Sequence, residues 1–246
     1  MIPQRAGEGG WKTNLKVVLV APRNPLNIGA AARATANFGF SRFAVVNPYE
    51  VAFREARSAA GAAALLAAAE EHASVASAIA GARCVIGTAS LGHREMKHRI
   101  DTLPFAARRV RTALAGGEVA LLFGSEKFGL SNEDLDHCHW LLRIPTDELC
   151  ESMNLGQAVA VCLYELARSP RAPAAPRGPR PATAGELEQL HAMLIETLEQ
   201  CGYLNPVTAA STRGKIRRLL LRLHLIGEDA RVGMGMLRQL LWALRR

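Results

Sequence analysis

The stretch VALLFGSEKFGLSNEDL, Val119 to Leu135, decides how this chain is read. Its first five residues, Val119–Phe123, form the unbroken apolar run that a strand buried on both faces requires. Gly124, Ser125, Glu126, Lys127, Phe128 and Gly129 follow at once. The order looks like a phosphate loop and is not one. A Walker-type loop needs Gly-x-x-x-x-Gly-Lys-Ser/Thr, and here Gly129 is followed by Leu130. A strand ending in Gly-Ser-Glu-Lys-Phe-Gly therefore holds something other than a nucleoside triphosphate.

Similar runs lie on either side. Leu15–Ala21 is apolar except for Lys16, and Phe43–Val46, Cys84–Gly87 and Trp140–Ile144 read as further strands. Between them, Gly29–Phe38 is Ala-rich and helical, with Asn27 fitting its N-cap and Gly39 its stop. Ser58–Ala69, Val75–Ala80, Asn132–His137 (behind Ser131 as cap) and Asn154–Arg168 also read as helix. Apolar strands alternating with helices predict an α/β fold: a parallel sheet with helices on both faces.

Ser169–Gly185 holds five prolines and three arginines and has no periodicity, so it reads as a linker. Beyond it, Leu187, Leu190, Leu194, Leu198 and Cys201 have helical spacing. Ile216, Leu219, Leu220 and Leu223 repeat it, and Val232, Leu237, Leu240, Leu241 and Leu244 mark a third helix. Gly233-Met234-Gly235 reads as a loop. The expected organisation is a main domain over 1–168, a linker over 169–185 and a small basic helical extension over 186–246.

The formal charge is +8 and the pI about 9.7, which favours a polyanionic partner, nucleic acid ahead of membrane. Residues 1–170 carry 18 basic and 16 acidic side chains, and residues 171–246 carry 12 and 6, so most of the excess lies in the tail. Arg213, Lys215, Arg217, Arg218 and Arg222 crowd one helix there, either as a solvated face or as an RNA contact. The five cysteines are odd in number and form no Cys-x-x-Cys, and no signal-peptide core or long apolar span is present. These features predict a reduced, cytoplasmic protein with no membrane association. His137-Cys138-His139 lacks the further partners a single coordination sphere needs, so no metal is expected. Gly-x-Gly-x-x-Gly does not follow the first strand, and there is no Gly-x-Ser-x-Gly elbow.

Three patches concentrate glycine and polar residues at expected strand ends. They are Asn24-Pro-Leu-Asn27-Ile-Gly29-Ala-Ala-Ala-Arg33, Phe123-Gly124-Ser-Glu126-Lys-Phe-Gly129-Leu130, and Ile144-Pro145 with Ser152-Met153-Asn154-Leu155. Ligands of open parallel sheets bind outside the carboxyl ends of the strands, so the three patches are placed to converge on one site. Each alone also reads as an ordinary turn with a helix cap.

Taken together and in this order, the patches resemble the three motifs of the SPOUT (SpoU–TrmD) RNA methyltransferases. Gly185–Tyr203 and Gly214-Lys215-Ile216-Arg217-Arg218-Leu219 resemble the C-terminal extension of the TrmJ branch, which 2′-O-methylates ribose at nucleotide 32 of tRNA. The resemblance implies a SPOUT fold ending in a deep trefoil knot, a homodimer, and S-adenosylmethionine as cofactor. It implies a donor pocket formed by Thr88, Ala89, Ser90, Gly124, Ile144, Ser152, Met153 and Asn154, with Gly124 letting the backbone approach the adenosine. Glu126 would support the loop or the dimer. Arg33 matches the arginine given the key catalytic role. A guanidinium stays charged, so the expected role is to grip the phosphate or hydroxyl and stabilise the developing alkoxide. Asn27 would orient the acceptor or brace Arg33, and Ser152 is a second candidate for handling the proton. Ribosomal RNA as substrate, a non-catalytic RNA-binding protein of the same fold, and a nucleotide binder without RNA are the alternatives.

Overall fold

The computed structural model describes residues 10–49, 53, 62–89, 98–169, 172–174, 178–204 and 207–245. Within them the expected apolar runs become interior strands: β1 (Leu15–Val20), β2 (Arg42–Val46), β4 (Cys84–Thr88), β6 (Val119–Phe123) and β7 (Trp140–Arg143). Two strands were not foreseen, β3 (Glu70–His72) and β5 (Ile100–Thr102). Each is three residues long and largely polar, so neither has an apolar signal to read. They close the two edges of a seven-stranded, wholly parallel sheet of order β3-β2-β1-β6-β4-β7-β5. Short polar edges also discourage pairing with a second sheet.

Alternate residues of the central strands feed two layers. Leu15, Val17 and Leu19 of β1 join Val119, Leu121 and Phe123 of β6 in one core; Val18, Val20, Ala120 and Leu122 join the other. The first core is covered by α1 (Pro25–Asn37), α2 (Ala63–Ala67), α4 (Leu103–Gly116) and α6 (Leu155–Ala167). The second is covered by α3 (Val75–Ile79) and α5 (Asn132–Asp136). The α/β class is therefore as expected. α4 was not foreseen, although Leu103, Ala106, Ala107, Val110 and Leu114 bury one helical face. Of the helix expected over Ser58–Ala69, Ala63–Ala67 is helical, and residues 58–61 lie outside the described residues. α1 begins one turn earlier than expected. Asn24, not Asn27, is its N-cap, accepting from the Leu26 amide, because Pro25 supplies a first residue that needs no donor. Gly39, at φ 75°, ends that helix as expected.

Lys16 breaks the apolar run of β1 and is nevertheless buried. Its Nζ lies 3.0 Å from Glu70 and 3.5 Å from Glu118, and donates to the Ala78 carbonyl at 3.1 Å. Arg42 joins the group, 2.5 Å from Glu118. Burial alone would raise the Glu70 pKa, but hydrogen bonds from Lys16 and His72 and the Lys16 and Arg42 charges hold it below the ordinary carboxylate range. Losing Lys16 would leave Glu118 and the partly exposed Glu70 with Arg42 as their remaining cation. Lys16→Ala is therefore expected to cost about 1–3 kcal/mol in denaturant unfolding. A loss under about 1 kcal/mol would show that the network is not structural.

The tail forms three helices, α7 (Ala184–Gln200), α8 (Ala209–Arg222) and α9 (Gly227–Leu244), around Leu187, Leu190, Leu220, Leu221 and Ala230. Gly233-Met234-Gly235 lies inside α9, not in a loop. Packing overrides helix propensity here: a Cβ on Gly233 would meet Leu190 at 3.2 Å, so the glycine lets α9 approach α7. The tail docks on the sheet domain of its own chain. The Ala184 and Gly185 amides donate to the carbonyls of Ala82 and Ala80, at 2.7 and 2.9 Å. Arg218 pairs with Asp136 at the end of α5. Arg217 lies 2.6 Å from Glu188, which also faces His137 at 3.7 Å. Three of the five cations crowded on α8 are thus committed to carboxylates, Arg213 to Glu199, Arg217 to Glu188 and Arg218 to Asp136, while Lys215 and Arg222 are exposed.

This dock contains two histidines held neutral. Burial pushes both His137 and His139 down to about 4, helped by the charge of Arg217 on the first and of His224 on the second. The unfolded chain therefore takes up more protons than the folded one between about 6.5 and about 4. Their contribution is complete above about pH 6.5 and is lost as pH falls toward 4. Acidification from pH 7 to 5 should cost about 2 kcal/mol per ring. Replacing His139 with Gln should flatten that limb of the unfolding free energy against pH. An unchanged slope would place the rings outside the linkage.

Candidate active site

The loop after β6 folds tightly back on itself. The Gly129 amide donates to the Ser125 carbonyl at 2.8 Å, the Phe128 amide donates to Ser125 Oγ at 3.3 Å, and Gly129 has φ 66°. A Cβ on Gly124 would overlap the carbonyl carbon of Gly129 and the amide nitrogen of Leu130. Glycine is thus required at 124 by the loop's own return, before any ligand is considered. Leu130 anchors the far end in the second core, and Ser131 and Asp134 form a capping box that starts α5.

A chain of side-chain hydrogen bonds ties the three patches together. Glu126 accepts from the backbone amides of Arg23 (3.2 Å) and Asn24 (3.1 Å) and from Asn27 Nδ2 (2.9 Å). Asn27 Oδ1 accepts in turn from Asn154 Nδ2 at 2.8 Å. A carboxylate only accepts, so this is the one orientation of the Asn27 amide that satisfies both partners. Asn154 Oδ1 accepts from the Gln157 amide at the start of α6. Burial works to raise the Glu126 pKa, but the bonds from Asn27 and the loop amides outweigh it and keep the group ionised. Glu126 therefore supports the loop, as expected. Asn27 spends both ends of its amide on Glu126 and Asn154, and makes no hydrogen bond to Arg33 among the described residues.

Beside this strut lies a cavity of about 360 Å³ at the carboxyl ends of β4, β6 and β7. That is within the size range of small-molecule sites, and it sits where ligands of open parallel sheets bind. Thr88, Ala89, Gly124, Ile144, Ser152 and Met153 line it. Thr88 Oγ1 is tied to the Leu122 carbonyl at 2.9 Å. Asn154 is not on the wall; it is the strut behind it. Ser90 lies outside the described residues. Leu130, Leu142, Thr146 and Glu151 also line it and were not foreseen as wall residues, and Glu126, Lys127 and Phe128 add the return of the loop after β6. Leu142 could have been found from its place at the end of β7. Glu151 could not, because the loop that carries it is closed by a bond from Thr146 Oγ1 to the Glu151 carbonyl (3.2 Å), which no spacing announces. The charged groups among the described wall residues are Glu126, Glu151 and Lys127, a net negative lining suited to a cationic ligand.

Arg33 stands apart. It is exposed on α1, forms no hydrogen bond or ion pair among the described residues, and does not line the cavity. By helical spacing it shares an outward stripe with Leu26, which is 78% exposed, and Ala30. α6 packs beside this stripe, a Cβ on Gly156 meeting Ala30 at 2.6 Å, and exposes Val161 and Tyr164. Ser152 is exposed at the cavity mouth, and its hydroxyl makes no hydrogen bond among the described residues.

The cavity is walled by the loops that follow β4, β6 and β7, with Asn27 and Asn154 bracing it from outside. Residues 14–164 match the SpoU rRNA Methylase family, and the chain belongs to that family. It is 34% identical over 218 residues to the tRNA (cytidine/uridine/adenosine-2′-O-)-methyltransferase TrmJ of Pseudomonas aeruginosa, covering 83% of this chain and 85% of that protein. Among solved structures it resembles TrmJ from Z. mobilis, with a TM-score of 0.79 and 28% identity over 92% of this chain and 98% of that one. A structure described as giving insight into 2-OH methylation of C/U34 on tRNA matches with a TM-score of 0.50 and 27% identity, over 64% of this chain and 96% of that one.

Proposed function

We propose that this chain transfers a methyl group from S-adenosylmethionine to a ribose 2′-hydroxyl of tRNA, at nucleotide 32 of the anticodon loop. The observation that carries the proposal is the cavity, braced by Glu126, Asn27 and Asn154 and lined with net negative charge, which suits a sulfonium. Bound there, S-adenosylmethionine supplies a methyl group already activated for displacement. What remains for the protein is to hold the hydroxyl in line and to ease loss of its proton. The ribose 2′-hydroxyl would give up its proton to solvent, relayed through the exposed Ser152 hydroxyl. Gly124, Ile144, Ser152 and Met153 would contact the donor, with Thr88 and Ala89 beneath it.

Arg33 would hold the phosphate or hydroxyl and stabilise the developing alkoxide. Because it lies off the cavity of its own chain, the proposal includes a homodimer in which the exposed stripe of α1 and α6 pairs with a second copy. Arg33 then serves the partner's cavity. A trefoil knot is also part of the proposal. In its support, β7 pairs between the earlier strands β4 and β5, after which α6 returns to α1.

The tail favours tRNA. Similarity to the Pseudomonas tRNA enzyme spans 218 residues, more than the family match over 14–164 can hold, so it reaches into the tail. A ribosomal substrate is the second reading, suggested by the family's own description. Mapping the product by resistance to alkaline cleavage separates the outcomes. One protected linkage after nucleotide 32 is the expected result. Protection after nucleotide 34, or only in ribosomal RNA, would overturn the assigned position or substrate.

A further inference from the structure

Two aromatic rings stand exposed on the carboxyl rim of the sheet, on either side of two cations. Tyr49 is 62% exposed and Phe128 is 60% exposed. The backbone holds all four residues in register. The Tyr49 amide donates to the Pro22 carbonyl at 3.3 Å, which sets it beside Arg23. The Arg23 amide donates to Glu126 at 3.2 Å, which sets it beside Lys127 and Phe128. Tyr49, Arg23 and Phe128 thus follow the neighbouring strands β2, β1 and β6 in order, across roughly 10 Å of rim. A groove lined by Arg23, Asn24, Pro25, Asn27, Glu126 and Lys127 lies on this rim, and the last two also line the cavity. The amides of Arg23 and Asn24 are spent on Glu126, so the groove presents outward the side-chain charges of Arg23 and Lys127. Lys127 Nζ lies over the Phe128 ring, 5.0 Å from its centroid, so a base that stacks on Phe128 displaces the ammonium toward the ring's edge, where a phosphate can meet it.

We propose that Tyr49 and Phe128 are stacking platforms for splayed bases of a single-stranded RNA loop, with Arg23 and Lys127 holding the phosphates between them. Every base has a π-face, so such a track grips unpaired RNA with little regard to sequence, whereas a duplex keeps its bases stacked inside. The track leads the loop into the cavity and positions the ribose there. This rests on the reading of the cavity as an RNA ribose methyltransferase site.

The test uses the full chain and an RNA stem-loop with 5-iodouridine in its loop, irradiated and mapped by mass spectrometry, together with KM for tRNA. Adducts are expected on Tyr49 and Phe128. Tyr49→Ala and Phe128→Ala should each remove the corresponding adduct and raise KM about tenfold. Phe128→Tyr and Tyr49→Phe should restore both readouts. Tyr49 is remote from the cavity wall, so donor binding to Tyr49→Ala should match wild type by calorimetry. Adducts confined to the tail, or an unchanged KM in both alanine variants while wild type methylates tRNA, would overturn the track and leave the enzymatic reading standing. Adducts on the two rings without any methylation would uphold the track and overturn the enzymatic reading. Neither adducts nor methylation would overturn both.

Discussion

Replacing Arg33 with alanine should lower methyl transfer to tRNA by about 10²–10³-fold, with donor affinity within about threefold of wild type. Arg33 is not on the cavity wall, so its loss leaves Gly124, Ile144 and Met153 in place for the donor. The guanidinium is exposed and uncommitted among the described residues, as a group that meets a substrate phosphate must be. Mixing Arg33→Ala with a second variant defective in the cavity gives a sharper form of the test. If Arg33 serves the partner's cavity, part of the mixed dimers regain one complete site and activity returns. If the mixture stays inactive, the arginine acts within its own chain and must reach the cavity by a movement. Transfer at the wild-type rate by Arg33→Ala alone would remove it from the mechanism.

Gly124→Ala should have the second large effect, on donor binding. One added methyl overlaps the Gly129–Leu130 backbone, so the loop from Ser125 to Gly129 must open. Opening it displaces Glu126, and with it the support of Asn27, Asn154 and the Arg23–Asn24 turn. A loss of donor affinity of about 100-fold or more is expected, roughly 3 kcal/mol. Gly129→Asn is the control. Gly129 is also left-handed, but a Cβ there meets nothing within 4 Å, so only the backbone preference is disturbed. That should cost about 1 kcal/mol, less because asparagine tolerates this region. Calorimetry that found both variants binding the donor equally well would show that the tight return of the loop does not shape the site.

Most of the sheet could be read from the chain because its interior strands are apolar on both faces. The same logic hid β3 and β5, whose few polar residues sit at edges where burial imposes little. The three patches were legible as a site because each lies at a strand end, but the sequence did not sort wall from strut. Asn154 looked like a pocket residue and is a brace, since its partner Asn27 is 127 residues away. The basic helix shows the limit most clearly. Its charges read either as a solvated face or as an RNA contact, yet Arg213, Arg217 and Arg218 are answered by Glu199, Glu188 and Asp136 from other elements. Patterns within one helix do not reveal which of its charges a distant segment neutralises. Asn24 took the capping role assigned to Asn27 for a more local reason, the proline that follows it.

Ribose 32 as the acceptor is tested by methyl transfer from labelled S-adenosylmethionine to two tRNAs that differ by one atom, the 2′-oxygen of nucleotide 32. Labelling of the normal tRNA and none of the 2′-deoxy form is expected, with both binding the protein equally. Equal labelling of the two would contradict ribose 32 as the acceptor.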